Sequence, residues 1–193
     1  MSKDAILDAA AEIFSQKGYH AASMQDIARA VRLQKASLYH HVNSKQEILK
    51  ALLDKALDLL IENMLDVMAR PTAAEEKLRL GMRTYLMSML EHRQLASVLL
   101  LEHRSLEPEL RVRHTRRRDE FERLWRVLIQ EGVDEGYYQC DDIDIAARAL
   151  LGVLNWTITW YRPEGADTPE QIADQYADMF LRGLLVREMK SDK

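Results

Sequence analysis

Residues 23–49, SMQDIARAVRLQKASLYHHVNSKQEIL, leave the chain less conformational choice than any other stretch. Ser23 followed three residues later by Asp26 is a helix start, a hydroxyl acceptor ahead of an acidic first turn. Ile27, Ala28 and Val31 give that helix a short apolar face. Arg32-Leu33 leaves little room for a loop before a second short helix begins in Lys35-Ala36-Ser37-Leu38-Tyr39-His40-His41. Asn43-Ser44 stops it, and Ser44-Lys45-Gln46-Glu47 reads as a capping box for a third, longer helix. Two short helices on a tight turn, the second exposing Gln34, Lys35, Ser37, Tyr39 and His40, fit a helix-turn-helix with its recognition helix.

The flanking sequence supplies a support for this motif. Ile6, Leu7, Ala10, Ile13 and Phe14 recur at helical spacing, and Gly18 closes the helix they define. With the two short helices it forms a three-helix module of about 45 residues, small for independent stability. The helix from Ser44 runs on to Arg70 before Pro71 stops it, carrying Ile48, Leu49, Leu52, Leu53, Ala56, Leu59, Leu60, Met64 and Val67. It reads as the mechanical link to the rest of the chain. The expected division is residues 1–47 as the helix-turn-helix domain and 48–193 as a second helical domain.

Further helices are expected over 73–92, 94–104, 108–131 (ending at Gly132 or Gly136), 143–161, and from Thr168-Pro169-Glu170 to about Glu188, with Pro at the first helical position of the last. No alternating strand pattern occurs, so the fold class is all-α. Seven Gly and four Pro in 193 residues agree with long helices and few turns. The single cysteine excludes an intramolecular disulfide framework and suits a reducing cytoplasm. No basic leader precedes an apolar run, and no apolar run approaches ~18 residues, so neither export nor membrane spanning is expected.

A net charge of −4 argues against coating nucleic acid by bulk charge. The charge is unevenly spread: residues 1–50 carry seven Lys/Arg against five Asp/Glu, and the remainder 20 against 26. The cationic end coincides with the helix-turn-helix.

The run DIARAV-LQKASLYHHV-NSKQEIL resembles the DNA-binding signature of the TetR family of one-component transcriptional regulators. Ile27-Ala28, Lys35, Ser37, Leu38, Tyr39, His40, Ser44, Lys45 and Glu47 carry the match. Arg32 stands where a turn Gly is common, Gln34 where a Ser cap is common, and Val42 where an aromatic is common. The resemblance implies a dimeric, ligand-responsive repressor that reads a palindromic operator in double-stranded DNA. Tyr39, His40 and Lys45 correspond to phosphate contacts, with Ser23 assisting from the start of its helix. Gln34, Lys35, Ala36 and Ser37 correspond to the residues that meet base edges.

The remainder of the chain is expected to bind an effector and to dimerise. Met64, Met68, Met82, Tyr85, Met89 and Leu99, with Asn155, Trp156 and Trp160, are candidates for the lining of an apolar cavity, and Phe121 faces inward with them. The same Met stripe at helical spacing also reads as plain core. Asn155, an amide in an apolar helix, requires a hydrogen-bond partner in the protein or in a ligand. Ala146, Ala149, Leu150, Val153, Trp156 and Thr157 on one helix, and Ala173, Tyr176, Ala177, Phe180 and Leu184 on the last, suit close helix packing across a homodimer.

The segment LLGVLNWTITWYRPEGADTPEQIADQYADMFLRGLL is similar to the C-terminal part of TetR-family repressors of fatty-acid and related acid degradation, which respond to acyl-CoA thioesters. In that scheme Arg104, Arg117 or Arg162 meets the CoA phosphates. Read without the resemblance, the run Arg111–Arg118 is a solvated helix face with pairs such as Arg116–Glu120 and Arg118–Glu122. A sensor of neutral hydrophobic or aromatic molecules on the same fold stands as the alternative. A helical-bundle enzyme or interaction protein is the alternative of another class. No phosphate loop, HExxH or nucleophile elbow is present, so no enzyme chemistry, cofactor or metal is expected.

Overall fold

The computed structural model describes residues 2–184 and is all-helical, with nine α-helices and one 3-10 turn among those residues. They are α1 (Lys3–Lys17), α2 (Met24–Ala30), α3 (Lys35–Leu38), α4 (Lys45–Met68), α5 (Ala74–Glu91), α6 (Arg93–Leu101), α7 (Pro108–Asp134), α8 (Ile143–Trp160) and α9 (Pro169–Leu184), with the 3-10 turn at His103–Ser105 between α6 and α7. The expected end of the last helix near Glu188 lies outside the described residues. No helix among the described residues is long and apolar enough to cross a membrane.

Two compact units account for these elements: residues 1–60 with 89–119, and residues 61–88 with 120–193. Helix α4 belongs to the first through Leu60, and α7 through Asp119, so both continue along the chain into the second.

In the first unit, α1 buries Ile6, Leu7, Ala10, Ala11 and Phe14 and ends at Gly18, whose φ of +78° a residue with a Cβ adopts only at a cost. The Gly18 N–H donates to Phe14 O at 2.9 Å. Phe14 meets the buried Tyr19 ring edge-on at 5.3 Å, which fixes the α1–α2 link. Ile48, Leu49, Leu52 and Leu53 present the buried face of α4.

In the second unit, Leu78, Met82 and Leu86 of α5, Leu124, Trp125, Leu128 and Ile129 of α7, and Ala147, Leu150 and Leu154 of α8 are buried. Salt bridges Arg83–Asp174 (2.5 Å) and Arg79–Asp178 (2.6 Å) tie α5 to α9 along its solvent edge. Thr168 opens α9 as expected, and the structure adds a reciprocal arm. The Thr168 N–H donates to Gln171 Oε1 (2.8 Å), while the Gln171 N–H donates to Thr168 Oγ1 (3.3 Å).

Several boundaries differ from the sequence expectation for local reasons. Of the two ends expected for α7 the structure takes Gly136, where the chain turns back at φ +78°, and Gly132 is buried inside the helix. The N–H groups of Tyr137 and Tyr138 then donate to Gly132 O, at 2.9 and 3.0 Å. Glu122 takes Arg126 (2.7 Å) and Arg148 (3.4 Å) as partners rather than Arg118, because cations one turn on and on α8 reach it.

Candidate DNA-reading surface and effector site

Helix α2 starts with a complete capping box. The Asp26 N–H donates to Ser23 Oγ (3.1 Å) and the Ser23 N–H to Asp26 Oδ2 (2.9 Å). The Ser23 hydroxyl and N–H, then Lys17, hold the Asp26 carboxyl well below the usual range, at about 2. The second box is only half formed. The Glu47 N–H donates to Ser44 Oγ at 3.0 Å, but the Glu47 carboxylate accepts from the backbone and side chain of Asn43, at 2.9 and 2.8 Å.

The turn between α2 and α3 passes through Arg32 at φ +55°, the one non-glycine residue with positive φ among those described. The departure noted in the sequence therefore falls where the backbone is left-handed, a conformation that costs a side-chain-bearing residue about 1–2 kcal/mol. The Leu33 N–H donates to Ala28 O (2.8 Å) and closes the turn. Gln34 is the N-cap of α3 but makes no side-chain capping bond, which the replaced Ser would have supplied.

Helix α3 is one turn long, shorter than the expected run to His41. Beyond Leu38 it tightens, the His40 N–H donating to Ser37 O (3.3 Å) and the His41 N–H to Leu38 O (3.0 Å). Leu38 and Val42 are buried and pin this segment. Gln34, Lys35, Ala36, Tyr39 and His40 are exposed and Ser37 half-buried. Tyr39 is 43% exposed, so its ring is not a packed staple. These residues lie within seven consecutive positions, with no ion pair among the described residues engaging Lys35.

Lys45 is differently disposed. Its ammonium donates to Tyr19 O (2.8 Å) and Ala22 O (2.7 Å) and lies 4.3 Å from the centre of the Tyr19 ring. Burial, partly opposed by the Gln46 side chain, raises the Tyr19 phenol pKa. Lys45 thus ties the first turn of α4 to the loop that leads into Ser23.

The expected effector residues divide between the units. In the second, Tyr85, Phe121 and Asn155 come together. The Tyr85 and Phe121 rings stack at 5.7 Å, and the Tyr85 hydroxyl donates to Asn155 Oδ1 at 2.5 Å. The acceptor oxygen of Asn155 therefore has its partner within the protein. Trp125 packs edge-on against Tyr85 at 5.8 Å, fully buried, with its indole N–H lacking a partner among the described residues. An orphan donor of this kind is visible only in three dimensions.

Met64 and Met82 are buried and Met68 half-buried, Met64 lying 3.5 Å from where a Cβ on Gly81 would stand. Trp156 and Trp160 face outward, 67% and 43% exposed, and do not join the cluster; Arg162 is exposed in the loop after α8. In the first unit, Met89 and Leu99 are buried and Arg104 is exposed. Arg117 donates to Asp54 (3.1 Å) and to Asp58, one turn apart on α4, so its charge is already matched. A phosphate would have to compete with two carboxylates there.

On the expected dimer face, Leu150, Thr157, Ala173 and Ala177 are buried within the protomer. Ile145, Ala149, Gly152 and Trp156 form the exposed stripe of α8, and Gln175, Met179, Arg182 and Gly183 that of α9.

This architecture is that of a helix-turn-helix protein whose second helical unit carries a buried aromatic cluster. The profile of "Bacterial regulatory proteins, tetR family" matches residues 6–52, and that of "Tetracyclin repressor-like, C-terminal domain" matches residues 71–184. The chain belongs to the TetR family. It is similar to the HTH-type transcriptional repressor KstR2 of Mycobacterium tuberculosis, 30% identical over 182 residues, which span 93% of this chain and 90% of that one. The solved structure of PfmR from Thermus thermophilus, a TetR family transcriptional regulator, is 37% identical over 92% of this chain and 97% of its own, with a TM-score of 0.85. AibR in complex with isovaleryl coenzyme A and operator DNA is 32% identical over 92% of this chain and 96% of its own, with a TM-score of 0.83.

Proposed function

We propose that the protein is a dimeric, cytoplasmic transcriptional repressor that releases a palindromic operator when an acyl-CoA thioester binds. The observation that carries the reading is the capped α2–turn–α3 unit with its exposed Gln34–His40 face, in a chain of this family. Lys35, Ser37 and Gln34 meet base edges, with Ala36 offering an apolar contact to a thymine methyl; Tyr39 and His40 meet phosphates. Ser23 and Lys45 support that face from the flanking turns. The proposed domain division is residues 1–47 for DNA and 48–193 for effector and dimer.

The exposed stripes of α8 and α9 support dimerisation. Among the described residues of the protomer a Cβ at Gly152 or Gly183 would meet nothing within 4 Å, so no neighbour there requires glycine in place of alanine. Each costs its helix roughly 1 kcal/mol in propensity. Close approach of a second copy explains both, with Ile145, Trp156 and Met179 as the apolar contact. A helix-turn-helix needs two such copies to read a symmetric site.

For the effector, the stacked Tyr85–Phe121 pair, the unpartnered Trp125 N–H and the Asn155 amide offer an apolar site with few, fixed polar groups. That AibR was crystallised with isovaleryl coenzyme A supports the acyl-CoA class. Binding acts as a population shift, favouring a conformer of α4 in which the two α3 segments no longer match successive major grooves. No chemistry on the ligand is part of this reading.

The test enriches duplexes from a random pool on the full-length protein and measures affinity by fluorescence anisotropy. Short-chain acyl-CoAs are then compared with neutral hydrophobes for release and for thermal stabilisation. Failure to enrich any duplex refutes the regulator; release by neutral hydrophobes alone refutes the thioester.

A further inference from the structure

Helix α4 begins between two loops of the first unit, and two adjacent side chains fasten it to both. Lys45 holds the 19–22 loop through the Tyr19 and Ala22 carbonyls. Gln46 holds the turn between α6 and α7. Its Nε2 donates to Ser105 O at 2.8 Å, and its Oε1 accepts from the Glu107 N–H at 3.1 Å. A primary amide is suited to this because it offers a donor and an acceptor together without charge.

Both backbone groups need such a partner. Glu107 precedes the first residue of α7, Pro108, so its N–H has no place in the helical ladder. Ser105 closes the 3-10 turn, where the carbonyl is likewise left over. A further tie joins the same places: Ser105 Oγ and His20 Nε2 share a hydrogen bond at 3.2 Å. Ser105 Oγ also donates to Glu102 Oε2 at 3.2 Å, which orients the hydroxyl within the turn.

We propose that Gln46 is a positioning residue for DNA binding. Through its two hydrogen bonds, the α6–α7 turn holds the first turn of α4, and with it the Lys45-anchored loop that opens α2, in the orientation that grips the operator. Gln46 itself touches no phosphate or base. The proposal rests on the DNA-binding reading above and adds to it the joint by which the α6–α7 turn governs the reading helices. Because α7 continues along the chain into the second unit, a change at that turn is felt at the start of α4.

The experiment uses the full chain and a duplex enriched on the wild type. Gln46→Met keeps the length of the side chain and removes both hydrogen bonds. Duplex affinity is expected to fall roughly tenfold, the effect of losing one to two ordinary hydrogen bonds. The slope of log affinity against log salt should stay unchanged, since no phosphate contact is lost. Gln46→Glu supplies a second readout: its carboxylate opposes the Ser105 carbonyl, whereas its protonated form donates and accepts like the amide. Its affinity relative to wild type should be low at pH 8 and recover as the pH falls through about 4.3, the ordinary range of a Glu carboxyl. A role confined to stability would leave that ratio flat at temperatures well below melting.

Wild-type affinity in Gln46→Met, a reduced salt slope, or a Gln46→Glu profile parallel to wild type each overturns the proposal. If Gln46→Met fails to fold, the pH profile of Gln46→Glu decides alone. A wild type that enriches no duplex defeats the DNA-binding reading itself, an outcome distinct from a wild type that binds and variants that bind equally well.

Discussion

Substituting Gly132 by Ala tests the packing at the end of α7 through a change of sign. In an exposed helix interior, Gly→Ala stabilises by about 1 kcal/mol. At Gly132 the added Cβ would stand well under 3.0 Å from both Cε2 and Cδ2 of Tyr138, closer than real contacts come. The atoms in the way belong to a ring only 3% exposed, held there by the Tyr138 N–H donating to Gly132 O at 3.0 Å. The ring must therefore leave.

A tyrosine buries about 150–250 Å², so losing half of that costs about 2–3 kcal/mol at ~25 cal/mol per Å². Set against the propensity gain, Gly132→Ala should destabilise by about 1–2 kcal/mol. For a chain of this size that lowers Tm by about 2–8 °C. Chemical and thermal denaturation at fixed protomer concentration measure it, because association would otherwise move the midpoint. In a Tyr138→Ala background the obstacle is gone, and the same Gly132→Ala change should stabilise by about 1 kcal/mol. The difference between the two backgrounds is the coupling of the pair. A wild-type background in which Gly132→Ala raises Tm would refute the reasoning.

Three further outcomes follow from the structure. Arg32→Gly should stabilise by about 0.5–1 kcal/mol, because relief of the left-handed strain at φ +55° exceeds the entropy glycine adds to the unfolded chain; urea denaturation reads it, and a loss of stability would place the strain elsewhere. His114 is buried with both ring nitrogens unpartnered among the described residues, and burial, then the neighbouring His103 and Arg118, lowers its pKa from 6.5 to about 4. The unfolded chain binds the proton first as pH falls, so stability is complete above about 6.5 and declines toward 4, by up to about 3 kcal/mol. His114→Leu should flatten that decline in denaturant midpoints taken at about pH 7.5 and 4.5 relative to wild type. Gly152→Leu should leave the protomer folded, since among the described residues nothing lies within 4 Å of its Cβ position, while sedimentation velocity shows the proposed dimer shifting to monomer; an unchanged dimer would remove α8 from the proposed interface.

The helix-turn-helix was legible because its determinants are local. Ser23 and Asp26 are three residues apart, Arg32 occupies a turn whose geometry is set by its neighbours, and Leu38 anchors a single helical turn. Capping chemistry and short-range hydrogen bonds write such features into consecutive letters. Even here the reciprocal arm of Glu47 was misplaced by one residue, because its carboxylate accepts from the backbone and side-chain N–H groups of Asn43 instead of from the Ser44 N–H. Of the two glycines offered as the end of α7, Gly136 is the terminator, and Gly132 stands in the sequence for a different reason. As a helix terminator glycine acts through φ, but at this position it acts through absent volume, and the ring that uses that volume is six residues away.

The proposed effector site was the less legible part, and the cause is chemical rather than a matter of sequence distance alone. A Met or aromatic at helical spacing serves a core and a cavity equally well, so Met64, Met82, Tyr85 and Phe121 could not be separated from ordinary packing before their neighbours were known. What separates a ligand site from core is an unmet polar requirement inside an apolar shell. Asn155 advertised such a requirement in the sequence, yet Tyr85 satisfies its oxygen at 2.5 Å. Trp125 advertised none, because tryptophan is at home in any core, yet its N–H is left without a partner among the described residues. An acceptor on the effector, such as a thioester carbonyl, would meet it. Trp125→Phe preserves most of the ring volume and deletes only that donor, so it should weaken acyl-CoA-induced release of the duplex while leaving effector-free duplex affinity unchanged. Equal release by both proteins across an acyl-CoA titration would move the polar contact away from α7.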